Sequence, residues 1–224
     1  MDKFNVALDG PAGAGKSTVA RLVANALGFV YVDTGAMYRA VTWKILQLDI
    51  APEQTEKVIT ATESLEIVLQ PGEQRQLVYV DGMDVTDEIR MTEINRRVSI
   101  ISQIPQVRAK LVDLQRNFAI AKGIVMDGRD IGTHVLPDAE VKIFLTASVE
   151  QRAQRRYSEV DPSSMTLEQL EQEIMERDKK DCERESSPLI QAKDAVLLDS
   201  THLSLTEVVE AVLNLCRKIK NEGN

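Results

Sequence analysis

Short apolar runs alternate with segments of helical spacing along most of this chain. Phe4-Asn5-Val6-Ala7-Leu8 has the pattern of a buried strand, and Thr18 to Leu27 has helical periodicity that stops at Gly28. Phe29 to Asp33 predicts a second strand. A helix from about Ala36 to Leu48 follows, with Met37, Tyr38, Val41, Ile45 and Leu48 at helical spacings, and Pro52 suits the first position of another helix to about Glu63. The rhythm then changes. Leu65 to Leu69 and Gln76 to Val80 are strand-like, Pro71-Gly72-Glu73 between them is a turn signal, and Asp81-Gly82 is a second one. Strands this close form an antiparallel hairpin. Thr92 is placed to cap the next helix, and Pro105 opens a long amphipathic helix to about Ala121, closed by Gly123.

The alternation then resumes. Ile124 to Asp127, Val141 to Leu145 and Ala195 to Leu198 predict three more strands. Ser148 with Gln151, Thr166 with Gln169 and Ser204 with Glu207 have the spacing of helix caps. Between Gln151 and Ser187 the chain is densely charged, and Asp161-Pro162-Ser163 breaks it into a helical hairpin. Alternation of this kind implies an α/β fold: a doubly wound, five-stranded parallel sheet, with a small antiparallel β insertion and a helical lid. The expected divisions are core 1–63, insertion 64–101, core 102–150, lid 151–187 and a C-terminal strand and helix, 188–224.

Composition narrows the class. The 224 residues are 43% hydrophobic but only 4% aromatic, so the core is mostly aliphatic, and the net charge is −8. An acidic body argues against a nucleic-acid partner. Any polyanion site must be a local basic cluster. The N-terminus leads directly into the first strand, no apolar run approaches membrane-spanning length, and Cys182 and Cys216 have no metal-ligand spacing. These features predict a cytoplasmic protein with free thiols and no membrane partner.

The stretch Gly10-Pro11-Ala12-Gly13-Ala14-Gly15-Lys16-Ser17 supplies the chemistry. It is a P-loop between a strand and a helix, which aims backbone N–H groups at phosphate. Its glycines let the main chain approach closely, Lys16 reaches the β- and γ-phosphates, and the Ser17 hydroxyl suits Mg²⁺. A P-loop alone does not separate kinase, GTPase, ATPase motor or transporter subunit. No Asn/Thr-Lys-x-Asp guanine motif is present, the chain is short for a motor, and arginines gather near strand ends. Arginine forks suit a transferring phosphoryl group.

Thr34, Tyr38 and Arg39 follow the second strand and are placed to meet an acceptor; the same pattern reads equally as Thr34 capping a helix and Tyr38 packing in the core. Asp127 ends the third strand, where a carboxylate helps hold Mg²⁺ through water, and Arg129 and Asp130 follow it. Arg152, Arg155, Arg156, Arg177 and Arg184 read either as a mobile lid over the triphosphate or as a solvated face laced with ion pairs.

Taken together, Asp9 to Thr18, Asp33 to Arg39, Asp81 to Arg90, Asp127 to Thr133 and Glu176 to Asp181 resemble the bacterial cytidylate kinases, a branch of the nucleoside monophosphate kinases. The resemblance covers essentially the whole chain. It implies transfer of the γ-phosphoryl of ATP to CMP or dCMP with Mg²⁺, by a monomer. It implies that Gly10 to Thr18 bind ATP and that the insertion belongs to the CMP-binding region. Thr34 and Asp130 would meet the cytosine edge with Arg108 nearby, and Tyr38 would pack beside the acceptor. Arg39 and Arg129 would hold its phosphate, and Ser99, Arg177 and Asp181 its pentose. Arg156 and Arg184 match lid and phosphate positions. Lys16, Arg129, Asp130, Arg156 and Arg184 would be the catalytic set, and Ser17 and Asp127 the metal set. Two other readings stay open: a kinase for another small acceptor, such as a different nucleotide or a sugar acid, and a protein that binds ATP without turning it over.

Overall fold

A computed structural model describes residues 3–72, 75–158 and 165–222 of the chain. In chain order the elements are β1 (Asn5–Asp9), α1 (Lys16–Leu27), β2 (Val30–Asp33), α2 (Thr34–Gln47) and α3 (Thr55–Glu63). Then come β3 (Ile67–Gln70), β4 (Leu77–Val80), β5 (Met83–Asp84), α4 (Thr92–Ile101) and α5 (Pro105–Ala119). The chain continues with β6 (Ile124–Gly128), β7 (Val141–Thr146), α6 (Val149–Tyr157), α7 (Leu167–Glu183), β8 (Val196–Asp199) and α8 (Leu205–Glu222).

Five strands form one parallel sheet in the order β2-β6-β1-β7-β8. The central β1 is buried along its whole length, because helices cover both faces. One aliphatic layer joins Val6, Leu8 and Ile143 to Val19 and Val23 of α1 and to Val208 and Val212 of α8. The other face packs Val32, Met126 and Ile131 against Val112 and Ala119 of α5. The sheet is the predicted one, and the crossovers place the loops after β1, β2 and β6 side by side at one rim.

The insertion is a three-stranded antiparallel sheet, β3-β4-β5, one strand more than the expected hairpin. It shares a core with its host: Val78, Val80, Val85 and Ile89 pack with Met37, Val41 and Ile45 of α2 and with Val107 and Leu111 of α5. The Gln76 side chain adds a polar joint. Its amide donates to the Tyr31 carbonyl at 2.5 Å and accepts the Asp33 N–H at 2.9 Å. Those are the free backbone groups of an edge strand, so one side chain takes the place of a neighbouring strand on β2.

Some helix boundaries differ from the sequence expectation. Pro52 does not open a helix; α3 begins at Thr55. Thr92 is the first residue of α4 and its side chain caps nothing. Thr166 and Gln169 form the full reciprocal capping box of α7, and Ser148 Oγ accepts the Gln151 N–H at 3.2 Å. The Asp161-Pro162-Ser163 turn, and Glu73 of the turn between β3 and β4, lie outside the described residues. Cys182 is exposed and Cys216 buried, both as free thiols.

Candidate active site

The rim formed by β1, β2 and β6 opens into a cavity of about 1010 Å³. Its donor side is the loop from Gly10 to Ser17, which ends in the first turn of α1. Two glycines are demanded by packing. A Cβ on Gly10 would sit 1.9 Å from the Leu145 carbonyl oxygen of β7, and one on Gly13, at φ +75°, would press Arg152 at 3.2 Å. Lys16 is buried and reaches back across the loop to donate to the Pro11 carbonyl at 2.8 Å.

Asp127, at the end of β6, is held at both oxygens. Ser17 Oγ donates to Oδ2 at 2.9 Å and the Tyr31 hydroxyl donates to Oδ1 at 2.8 Å. Burial pushes the Asp127 carboxyl up, with Asp33 adding to the effect, and pushes the Lys16 ammonium down, with Arg129 adding to it. Each nonetheless favours the charged form of the other.

The acceptor side is made of guanidinium–carboxylate pairs. Arg39 bonds Asp33 at 3.0 Å and Arg90 stands 3.8 Å from the same carboxylate. Arg108 and Arg184 flank buried Asp130 at 2.5 and 3.4 Å. The Arg108 guanidinium also lies over the Tyr38 ring, 5.5 Å from its centroid. Arg129 Nε donates to Asp181 at 2.8 Å. The buried Nε of Arg177, like those of Arg39 and Arg108, has no partner among the described residues, and burial together with Arg129 and Arg156 pushes the Arg177 pKa down to about 10. An arginine crowded by other arginines is a group awaiting an anion. Among the described residues, ten Lys and Arg side chains line the cavity against five Asp and Glu, in a chain whose net charge is −8. The local basic cluster expected from the acidic composition is therefore here.

A family model described as Cytidylate kinase matches residues 6–218. The chain is 49% identical over 225 residues to the cytidylate kinase of Caldicellulosiruptor bescii, covering 99% of this chain and 100% of that one. It is 51% identical over 214 residues to that of Desulfitobacterium hafniense, covering 95% and 92%. The chain belongs to the cytidylate kinase family. An uncharacterised protein from Eubacterium ventriosum shares the fold alone, with a TM-score of 0.52 at 9% identity, covering 95% of this chain and 97% of that one.

In this cytidylate kinase family member the structure brings most of the sequence-predicted residues to one cavity. Ala12 to Thr18, Thr34, Tyr38, Arg39, Ser99 and Arg108 line it, as do Asp127, Arg129, Asp130, Arg156, Arg177, Asp181 and Arg184. Arg152 is an exception. Sequence grouped it with a closing lid, but it is buried beneath the loop, bonded to Ala12 O, Ala147 O and Asp178. Lys180 is exposed. Thr34 does not cap α2. Asp33 does, accepting the Ala36 N–H at 2.8 Å, while Thr34 Oγ1 donates to the Asp127 carbonyl at 2.7 Å and joins the β2 and β6 rims.

Sequence reasoning gave no individual role to several residues now seen in the site. Asp9, at the end of β1, accepts the Ile131 and Gly132 N–H groups at 2.8 and 2.7 Å and so holds the turn after Asp130 against the P-loop. Tyr31, Asp33 and Arg90 were also passed over. Asp33 had a local signal, a carboxylate between a strand and a helix, which is the mark of an N-cap. Tyr31 had none, since its partner lies 96 positions away in the chain.

Proposed function

We propose that this chain transfers the γ-phosphoryl group of ATP to CMP or dCMP, giving ADP and the nucleoside diphosphate. The observation that carries this reading is the cationic acceptor side, above all Arg177, facing the P-loop across one cavity. The P-loop amides and Lys16 bind the donor's phosphates. Arg39 and Arg129 bind the acceptor phosphate, and Ser99, Arg177 and Asp181 face its pentose.

Asp130 supplies selectivity. As a carboxylate fixed between Arg108 and Arg184, it accepts hydrogen bonds and offers none. Cytosine presents an amino donor where uracil presents a carbonyl, so a cytosine edge pairs with Asp130 and a uracil edge meets it acceptor to acceptor. Thr34, whose hydroxyl is anchored 2.7 Å from the Asp127 carbonyl, limits the space beside it.

The attacking oxygen belongs to an acceptor phosphate that is already anionic, so no strong general base is needed. Catalysis rests on positioning and on charge: Lys16, Arg129, Arg156 and Arg184 meet the charge that spreads over the moving phosphoryl oxygens. Enclosure of the site suppresses transfer to water.

The residues present also fit Mg²⁺. Ser17 Oγ and both Asp127 oxygens are hard donors converging beside the loop, and the buried carboxylate lacks a full counter-charge. Among the described residues no cluster of three or more His, Cys, Asp or Glu is placed to hold a metal, so Ser17 and Asp127 would hold the ion together with phosphate oxygens and water. When bound, it neutralises charge on the β- and γ-phosphates.

A coupled ADP-release assay with a panel of nucleoside monophosphates tests the reading. CMP and dCMP should exceed UMP and AMP in kcat/KM by roughly a hundredfold or more, the scale of a polar edge left unpaired in a built site. Equal rates with AMP would overturn it.

A further inference from the structure

Helix α7 touches both sides of the cavity within one turn. Asp181 accepts from Arg129 on the acceptor side at 2.8 Å. Three residues earlier, and so on the same helix face, Asp178 reaches the donor loop: its Oδ1 accepts the Ala12 N–H at 3.2 Å. Its Oδ2 pairs with Arg152 of α6 at 2.5 Å. Arg152, itself buried, donates in turn to the Ala12 carbonyl at 2.9 Å. Both main-chain polar groups of a single P-loop residue are thus gripped by one ion pair drawn from α6 and α7. Gly13 admits the grip, since its missing side chain leaves room for Arg152. Neither Asp178 nor Arg152 lines the cavity, and the proposed chemistry uses neither.

We propose that Asp178 is a positioning residue that couples the donor site to the acceptor site, with Arg152 as its counter-charge. The inference rests on the kinase reading above. Setting the loop around the donor's phosphates sets Ala12, Ala12 sets Asp178, and α7 then carries Arg177 and Asp181 into their acceptor-binding places. Coupling of this kind is reciprocal, so CMP strengthens ATP binding by the same factor.

The test is calorimetric titration of CMP into the full chain, with and without a non-hydrolysable ATP analogue. The wild-type protein should bind CMP about tenfold more tightly with the analogue present, within the usual range of coupling between sites. Asp178→Asn keeps an acceptor toward Ala12 but removes the charge that fixes Arg152. Its ratio should fall to within about twofold of one, while CMP affinity in the absence of the analogue stays within about twofold of wild type. Because Asp178→Asn leaves a buried arginine unpaired, the double variant Arg152→Met/Asp178→Leu serves as a second test; exchanging a whole buried pair for apolar groups is often tolerated. It should fold, retain CMP binding and show the same loss of coupling.

Wild-type coupling in both variants would overturn the proposal. So would an equal loss of CMP affinity with and without the analogue, the mark of a merely structural role. A wild-type ratio of one, with CMP turnover intact, sinks the coupling and leaves the activity standing. A wild-type protein that neither binds nor phosphorylates CMP sinks both.

Discussion

The two sides of the cavity are built by different means. The donor side is one unbroken stretch, Gly10 to Ser17, and in the proposed reaction it works mainly through main-chain N–H groups and a single ammonium. The acceptor side draws on β2, α2, α4, α5, β6 and α7, and its guanidinium groups are pinned by carboxylates. A triphosphate tail is common to every nucleotide, so a loop of backbone amides serves it. A particular nucleoside has an edge and a sugar, and only side chains gathered from several directions can read them. The donor side therefore needs few side chains of its own, while the acceptor side depends on the alignment of many elements.

The largest expected effect breaks the donor side at its one essential side chain. Lys16→Ala should lower kcat/KM by about a thousandfold or more, the scale of a lost preorganised charge at the reacting centre. Thermal stability should be kept or raised, because burial works against the Lys16 ammonium in the folded state. A variant that fails to fold would show that the loop lysine is structural instead.

Next comes the joint between the two sides. Burial raises the Asp9 carboxyl to about 6 although it accepts two backbone N–H bonds. Between pH 4 and pH 6 the folded chain then holds a proton on Asp9 that the unfolded chain has released. Stability from this group is present at the acid end and is lost as pH rises through that window, by up to about 3 kcal/mol. Denaturation midpoints across pH 4 to 7 check it: Asp9→Asn should show a shallower fall than wild type. Parallel curves would mean that Asp9 titrates normally.

A smaller effect sharpens the acceptor side. Arg129→Ala should raise KM for CMP about tenfold, lower kcat about tenfold and leave KM for ATP within about threefold, as for a charged group that holds the acceptor phosphate and meets the moving phosphoryl group. A matching rise in both KM values would make Arg129 a binding group for the donor as well and weaken the division drawn above.

Legibility in the sequence follows the same division. The parallel sheet, the P-loop and most capping residues were readable because each rests on neighbours a few positions apart. The Gly28 stop and the Thr166–Gln169 box are local hydrogen-bond patterns, and they form as the spacing predicts. Arg152 was misplaced for the complementary reason. A run of charged residues looks the same whether it faces water or is folded beneath a loop, and its partners Ala12 and Asp178 lie 140 and 26 positions away. The Gln76 joint was invisible too, since it depends on β2 falling at the sheet edge beside the insertion.

The sequence by itself determined the strand–loop–helix that binds phosphate, the alternation that makes a parallel sheet, and the stock of arginines and carboxylates. Tertiary structure alone decided how they pair: Asp130 between Arg108 and Arg184, Asp181 with Arg129, Asp178 with Arg152 under Ala12. Backbone preferences and hydrophobic periods act over a few residues, and so they can be read along a line. Charge pairing acts through space, and the order of strands in the sheet decides which charges meet.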